Sequence, residues 1–138
     1  MKTYKHTVQY YETDKMGVTH HSNYIRFMEE ARVSFLRSIG YSYEKMEEQG
    51  IISPVVSVLC DYKKPTTFAD EIEISVSVLK LTRARLTLSY TMISGDAVVC
   101  VAQSSHCFLS PNGRPMNIQK NCPQFYEVLC KLCDESDK

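Results

Sequence analysis

The second half of the chain places an aliphatic side chain at every second position of residues 71–78, and residues 85–92 repeat this spacing with Leu86, Leu88, Tyr90 and Met92. A period of two puts all of these side chains on one face of a β-strand. A Ser-Gly-Asp turn at 94–96 leads from the second run into residues 97–109. The pattern predicts antiparallel hairpins in a sheet that has one apolar face.

A long helix is predicted ahead of these strands. Apolar residues recur at spacings of three and four from Tyr24 to Ile39, and Gly40 ends the run. Four further elements are predicted: strands over 4–11 and 51–62, a short helix over 43–49 and a terminal helix over 123–133. The order of strand, helix and four strands predicts an α+β fold in which the helix covers the apolar face of a five-stranded sheet.

Size and charge restrict the class of protein. The 138 residues suit a single domain over 1–138, and 16 basic residues balance 16 acidic ones. A net charge of zero argues against a nucleic-acid partner. No run approaches the ~20 apolar residues of a membrane span, and no export signal is apparent, so we expect a cytoplasmic protein with reduced cysteines. The edges of such a sheet favour a homo-oligomer.

Polar residues that suit catalysis concentrate in residues 11–24, just before the predicted helix. This segment holds Asp14, Gly17, His20 and His21. A helix N-terminus presents unpaired N–H groups that can stabilise an oxyanion. Gly17 permits a sharp turn, which would direct the Asp14 carboxylate towards the start of the helix. Asp14 could there attack a carbonyl or activate a water.

The same segment resembles a known family. Glu12-Thr13-Asp14, Gly17-Val18, His21 and Tyr24, followed by 29–32, are similar to the signature of 4-hydroxybenzoyl-CoA thioesterase-type hotdog proteins. Within that group the segment is most similar to short- and medium-chain acyl-CoA thioesterases. The resemblance implies the hotdog fold, an antiparallel five-stranded sheet wrapped around one long central helix, with a short C-terminal helix. It also implies hydrolysis of an acyl-CoA thioester to free acid and CoA.

The resemblance further implies roles for individual residues. Asp14 is the implied nucleophile or general base, and His21 is the implied oxyanion donor through its N–H. Many relatives carry a tyrosine where this chain has His20. The family builds each site across a dimer interface, which implies a homodimer or homotetramer. The residues expected to bind substrate are Gly17, Val18, His20, Tyr24, Lys63 and Arg83, of which the last two lie near strand ends and would meet CoA phosphates.

Other interpretations of the same residues stay open. Asp14 could be an ordinary loop acid, and the two histidines could be solvated. We expect no metal and no cofactor, because adjacent histidines rarely converge on one ion. No Gly-x-Ser-x-Gly run occurs, which excludes an α/β-hydrolase elbow. The alternatives to a thioesterase are a non-catalytic module that binds acyl-CoA or acyl-carrier protein, and a hotdog hydratase or dehydratase. The acyl group is not defined by the sequence.

Overall fold

Four helices and five strands make up the fold in a computed structural model that describes residues 3–136. In chain order they are β1 (Tyr4–Thr7), α1 (Asn23–Ser38), α2 (Tyr43–Glu48), β2 (Val55–Tyr62), β3 (Glu71–Leu81), β4 (Arg85–Ser94), β5 (Ala97–Cys107), α3 (Ile118–Asn121) and α4 (Pro123–Ser136). The strands form one sheet in the order β1-β3-β4-β5-β2. The predicted α+β class, with five strands and one long helix between the first two, is confirmed.

Two predicted strands are longer than the observed ones. The strand predicted over 4–11 ends at Thr7, and Tyr10–Glu12 form a 3-10 turn. The Glu12 carboxylate accepts the Gln9 N–H at 2.8 Å, and this local bond replaces the ladder. The strand predicted from residue 51 starts only at Val55, directly after a proline that has no N–H to donate. The one-turn helix α3 was not predicted, because its four residues are too few to show a period.

The described residues divide into two compact units. The first unit comprises positions up to Phe35, Leu59–Val76 and Tyr90–Ala102. Its core takes the apolar face of α1, which agrees with the predicted helical spacing, and the inward side chains of the strands. The fully or almost fully buried members include Val8, Tyr24, Phe27, Met28, Ala31, Ile72, Ile74, Tyr90 and Met92. β1 pairs antiparallel with β3 within this unit, Tyr4 opposite Ile74 and Thr7 opposite Glu71.

The second unit comprises Leu36–Val58, Ser77–Ser89 and the described residues from Gln103 onward. An aromatic cluster forms its core, in which the Phe125 ring lies 4.6 Å from that of Tyr41 and 6.1 Å from that of Phe108. Gly40, with φ of +87°, follows the end of α1 in the left-handed conformation expected from the sequence. α4 begins at Pro123, where a missing N–H costs no helical bond.

Candidate active site

The loop over residues 12–20, here called the Asp14 loop, is a tight hairpin. The Asp14 N–H donates to the Val18 carbonyl at 2.9 Å, and the His20 N–H donates to the Glu12 carbonyl at 2.8 Å. Gly17 closes the turn by donating its N–H to the Asp14 carbonyl at 3.0 Å, with a φ of +79° that favours glycine. The sharp turn expected at Gly17 is therefore present. The C-terminal half of the loop ends at His20, directly before His21.

The Asp14 carboxylate is half-buried and held in place by its own loop. Its Oδ1 accepts the Met16 N–H at 2.8 Å. None of the groups that the structure describes donates a hydrogen bond to Oδ2. One oxygen therefore fixes the side chain, and the other is available to a substrate or a water.

The chain turns at His20–Asn23 to enter α1. The Asn23 N–H donates to the His20 carbonyl at 3.0 Å, which places His21 at the second position of a β-turn. The His21 carbonyl accepts the Tyr24 N–H at 3.2 Å and the Tyr62 hydroxyl at 3.1 Å. The His21 N–H itself has no acceptor in the part of the chain that the structure describes. It is a backbone donor without a partner among the described residues, just before a helix N-terminus, and such N-termini can stabilise an anion.

Glu12 ties the Asp14 loop to the elements around it. Its backbone carbonyl also accepts the Asn23 side-chain amide at 2.9 Å. Its buried carboxylate accepts the His6 Nε2 at 2.8 Å, and the His6 Nδ1 lies 3.0 Å from a Glu30 oxygen. His6 on β1 therefore bridges the loop and α1 through both ring nitrogens, and its ring lies 4.0 Å from that of Phe27.

We expect His6→Ala to lower the free energy of unfolding by about 2 to 3 kcal/mol, because it leaves the buried Glu12 carboxylate short of a donor. The matched control is Lys5→Ala on the same strand, whose contacts with Glu71 and Glu73 are long, at 3.9 Å, and exposed. Such pairs contribute well under ~1 kcal/mol. Urea denaturation measures both. Equal stabilities for the two variants would contradict a bracing role for His6.

A cavity of about 290 Å³ opens beside the His21 turn. It is lined by Thr19, His21, Tyr24, Tyr62, Lys63, Lys64 and Pro65. The Tyr24 and Tyr62 rings meet edge to face at 5.2 Å. Behind them, Thr66 Oγ1 lies 2.9 Å from the Tyr24 hydroxyl and 2.6 Å from Thr19 Oγ1. Desolvation is the main cause that raises the pKa of Tyr24. The cavity thus joins aromatic walls to a basic rim.

The predicted site residues fall into three groups. His21, Tyr24 and Lys63 line the cavity. Asp14, Gly17, Val18 and His20 belong to the adjoining Asp14 loop and do not line it. Arg83 lies in the connection between β3 and β4, within the second unit, and is not a lining residue.

Sequence reasoning missed Tyr62 and Thr19 as cavity residues. Tyr62 ends β2 directly before Lys63, and this adjacency to a predicted substrate-binding residue was the available signal. Thr19 lies between two residues that were predicted to bind substrate. Both side chains meet the cavity through contacts with residues more than 40 positions away, which no local pattern reports.

The two histidines stack on each other, with ring centroids 4.4 Å apart. The His20 Nδ1 accepts the Ser22 N–H at 3.2 Å and lies 2.9 Å from the Ser22 hydroxyl. Among the side chains that the structure describes, no three of His, Cys, Asp or Glu are placed to hold a metal ion. The described helices include none that is long and apolar enough to cross a membrane.

Comparison with known proteins agrees with this fold. The family model described as the thioesterase-like superfamily matches residues 8–129. An Aquifex aeolicus protein, provisionally named an esterase, is 41% identical over 126 residues, which are 91% of this chain and 95% of that protein. A Bacillus subtilis protein, provisionally named an acyl-CoA thioesterase, is 29% identical over 126 residues, 90% of this chain and 91% of that protein.

A solved structure is also similar to this chain in its three-dimensional fold. The DHNA-CoA thioesterase of Staphylococcus aureus matches with a TM-score of 0.92 at 28% identity, over 99% of this chain and 94% of that one. The chain therefore belongs to the thioesterase-like superfamily and has the hotdog fold. It is a thioester hydrolase. The family resemblance and the enzyme class expected from the sequence are both confirmed.

Proposed function

We propose that the protein hydrolyses an acyl-CoA thioester to a free acid and CoA, with Asp14 as nucleophile or general base and the His21 N–H as oxyanion donor. The observation that carries this proposal is that His21, whose N–H has no acceptor among the described residues, lines a cavity with a basic rim. Asp14 supports it, because one of its oxygens has no donor in the described chain and its loop leads directly into the His21 turn.

Hydrolysis of a thioester needs few catalytic groups, and the proposed site supplies a carboxylate and a backbone N–H. A departing thiolate belongs to an acid of pKa ~8.5, by analogy with cysteine, so the leaving group needs little protonation. Negative charge develops on the carbonyl oxygen as the carboxylate or its water adds. A backbone N–H aimed at that oxygen supplies the stabilisation that most acyl-transfer enzymes depend on.

We propose that the single domain over 1–138 acts in the cytoplasm as a homodimer or homotetramer. β2 is an edge strand, and four of its aliphatic side chains are at least 40% exposed. They are Val55, Val56, Val58 and Leu59. Exposed aliphatic side chains on an edge strand favour contact with a second copy of the chain.

Lys63 and Lys64 are the proposed contacts for the phosphates of CoA, and Arg83 remains a further candidate. Both lysines are exposed at the cavity rim. Gly17, Val18 and His20 are proposed to shape the site from the Asp14 loop. The B. subtilis and S. aureus relatives are both named for CoA thioesters, which supports CoA as the carrier.

The variant Lys63→Gln with Lys64→Gln replaces both rim lysines. We expect its KM for an acyl-CoA to rise about fivefold and its kcat to stay unchanged. A fivefold change corresponds to about 1 kcal/mol, the upper range for an exposed charge pair. The same acyl group on pantetheine lacks the nucleotide phosphates, and its KM should not change. Steady-state kinetics with both thioesters measures the difference. Lys80→Gln, on an exposed residue of β3, is the control. An equal rise in KM for the pantetheine thioester would contradict phosphate binding.

The proposed function is tested by free-thiol release from a panel of aliphatic and aromatic acyl-CoA thioesters. Saturable release of thiol is expected with at least one class. A protein that binds these thioesters without releasing thiol would be a binding module. Hydration of an enoyl-CoA without thiol release would indicate a hydratase. Either outcome would overturn the proposal.

A further inference from the structure

Tyr62, the last residue of β2, lies beside the proposed oxyanion donor without being part of it. Its hydroxyl donates to the His21 carbonyl at 3.1 Å, across 41 positions of sequence. The ring is fixed by two edge-on contacts, 5.2 Å from the Tyr24 ring and 6.1 Å from the His21 ring. A side chain that is 46% exposed is therefore held in one orientation by three contacts.

We propose that the Tyr62 hydroxyl is a positioning group that aims the His21 N–H at the thioester oxygen. The proposal rests on the proposed role of His21 as oxyanion donor. The N–H and the carbonyl of one residue are separated by only two soft dihedral angles, φ and ψ. A bond that restrains the carbonyl therefore restricts the direction of the N–H.

The bonds around His21 make Tyr62 the long-range restraint on this residue. On the preceding side, the His20 N–H is held by the Glu12 carbonyl at 2.8 Å. On the following side, the His21 carbonyl has one local donor, the Tyr24 N–H at 3.2 Å, and one distant donor, Tyr62. Without the Tyr62 hydroxyl, the carbonyl keeps only the local bond within the turn.

The hydroxyl remains a donor under the conditions in which a thioesterase works. Desolvation, followed by the neighbouring Cys60, raises the pKa of Tyr62 to about 12. A phenol that stays protonated to that pH can donate to the His21 carbonyl throughout the neutral and mildly alkaline range. The bond therefore does not depend on pH where activity is measured.

Tyr62→Phe keeps the ring and removes only the donor. We expect kcat to fall about tenfold, because small misplacements of catalytic groups cost up to ~100-fold in rate. KM should stay the same. The Kd for an S-alkyl-CoA thioether should also stay the same, since this ligand has no carbonyl oxygen to meet the His21 N–H. Tyr11→Phe is the matched control, on a tyrosine that is 78% exposed.

Two results would overturn the role of Tyr62. One is an unchanged kcat in Tyr62→Phe. The other is a weaker affinity for the thioether, which would make Tyr62 a substrate contact. The His21 amide signal in the ¹H–¹⁵N spectrum gives a readout independent of turnover: we expect it to move in Tyr62→Phe and not in Tyr11→Phe, and no movement contradicts the proposal. If the parent releases thiol and Asp14→Asn does not, failure of Tyr62→Phe leaves the proposed function standing.

Discussion

Asp14→Asn is expected to lower kcat for acyl-CoA hydrolysis about a thousandfold or more, in line with the loss of a catalytic carboxylate in other acyl-transfer enzymes. An amide can neither attack the thioester nor take a proton from water. The fold should persist, because the Asn oxygen can still accept the Met16 N–H that Asp14 Oδ1 accepts at 2.8 Å. Steady-state thiol release and thermal unfolding of the parent and the variant measure the two effects.

Asp70→Asn is the matched control for this substitution. Asp70 Oδ2 also accepts a backbone N–H, that of Thr67, at 2.9 Å. The change therefore removes the same charge and keeps the same kind of bond, at a residue outside the Asp14 loop. We expect kcat within about twofold of the parent, as for a surface change that leaves the site intact. An Asp14→Asn enzyme that matches this control would show that Asp14 is an ordinary loop acid.

His21→Pro is expected to lower kcat about a hundredfold, which is the lower range for the loss of one oxyanion donor. Proline removes the N–H of residue 21, and no group within the described chain accepts that N–H. The site suits proline, because His21 occupies the second position of the turn that the Asn23 N–H closes on the His20 carbonyl at 3.0 Å. The loss should appear in kcat, since the donor acts on the developing oxyanion.

His21→Ala separates the N–H from the ring. Alanine removes the imidazole, and with it the stack on His20, but keeps the backbone donor. We expect kcat to fall much less in His21→Ala than in His21→Pro, with circular dichroism and thermal unfolding confirming that both are folded. An equal fall in the two variants would assign the effect to the ring. Full activity in a folded His21→Pro enzyme would exclude the N–H as the oxyanion donor.

The elements that the sequence predicts well are those whose signal is local. The alternation over 71–78 lies within one strand, and the observed burial of β3 follows it residue by residue. The helical spacing from Tyr24 likewise lies within α1. The predicted start of the first strand at Tyr4 was right, and its predicted end was wrong because a competing local bond, which the Gln9 N–H donates to the Glu12 carboxylate, decides where the strand stops. Periodicity does not report such a bond.

The site was predictable only where its residues are close in sequence. The Asp14 loop and the His21 turn were identified because they lie next to each other in the sequence, directly before a helix, and family resemblance supplied their roles. Tyr62 and Thr66 reach the same place through side-chain bonds to His21 and Tyr24 that span 41 and 42 positions. These residues come together only in the folded structure. Their contacts with the turn could therefore not be predicted from a local sequence pattern.

The products formed from an acyl-CoA in H₂¹⁸O provide the most direct test of thioester hydrolysis at this site. Multiple-turnover incubation followed by mass spectrometry should yield free acid and CoA thiol in equal amounts, with solvent oxygen in the acid. Asp14→Asn should form both products about a thousandfold more slowly than the parent. Recovery of an intact or hydrated acyl-CoA from the parent, with no free acid, would contradict the proposed function.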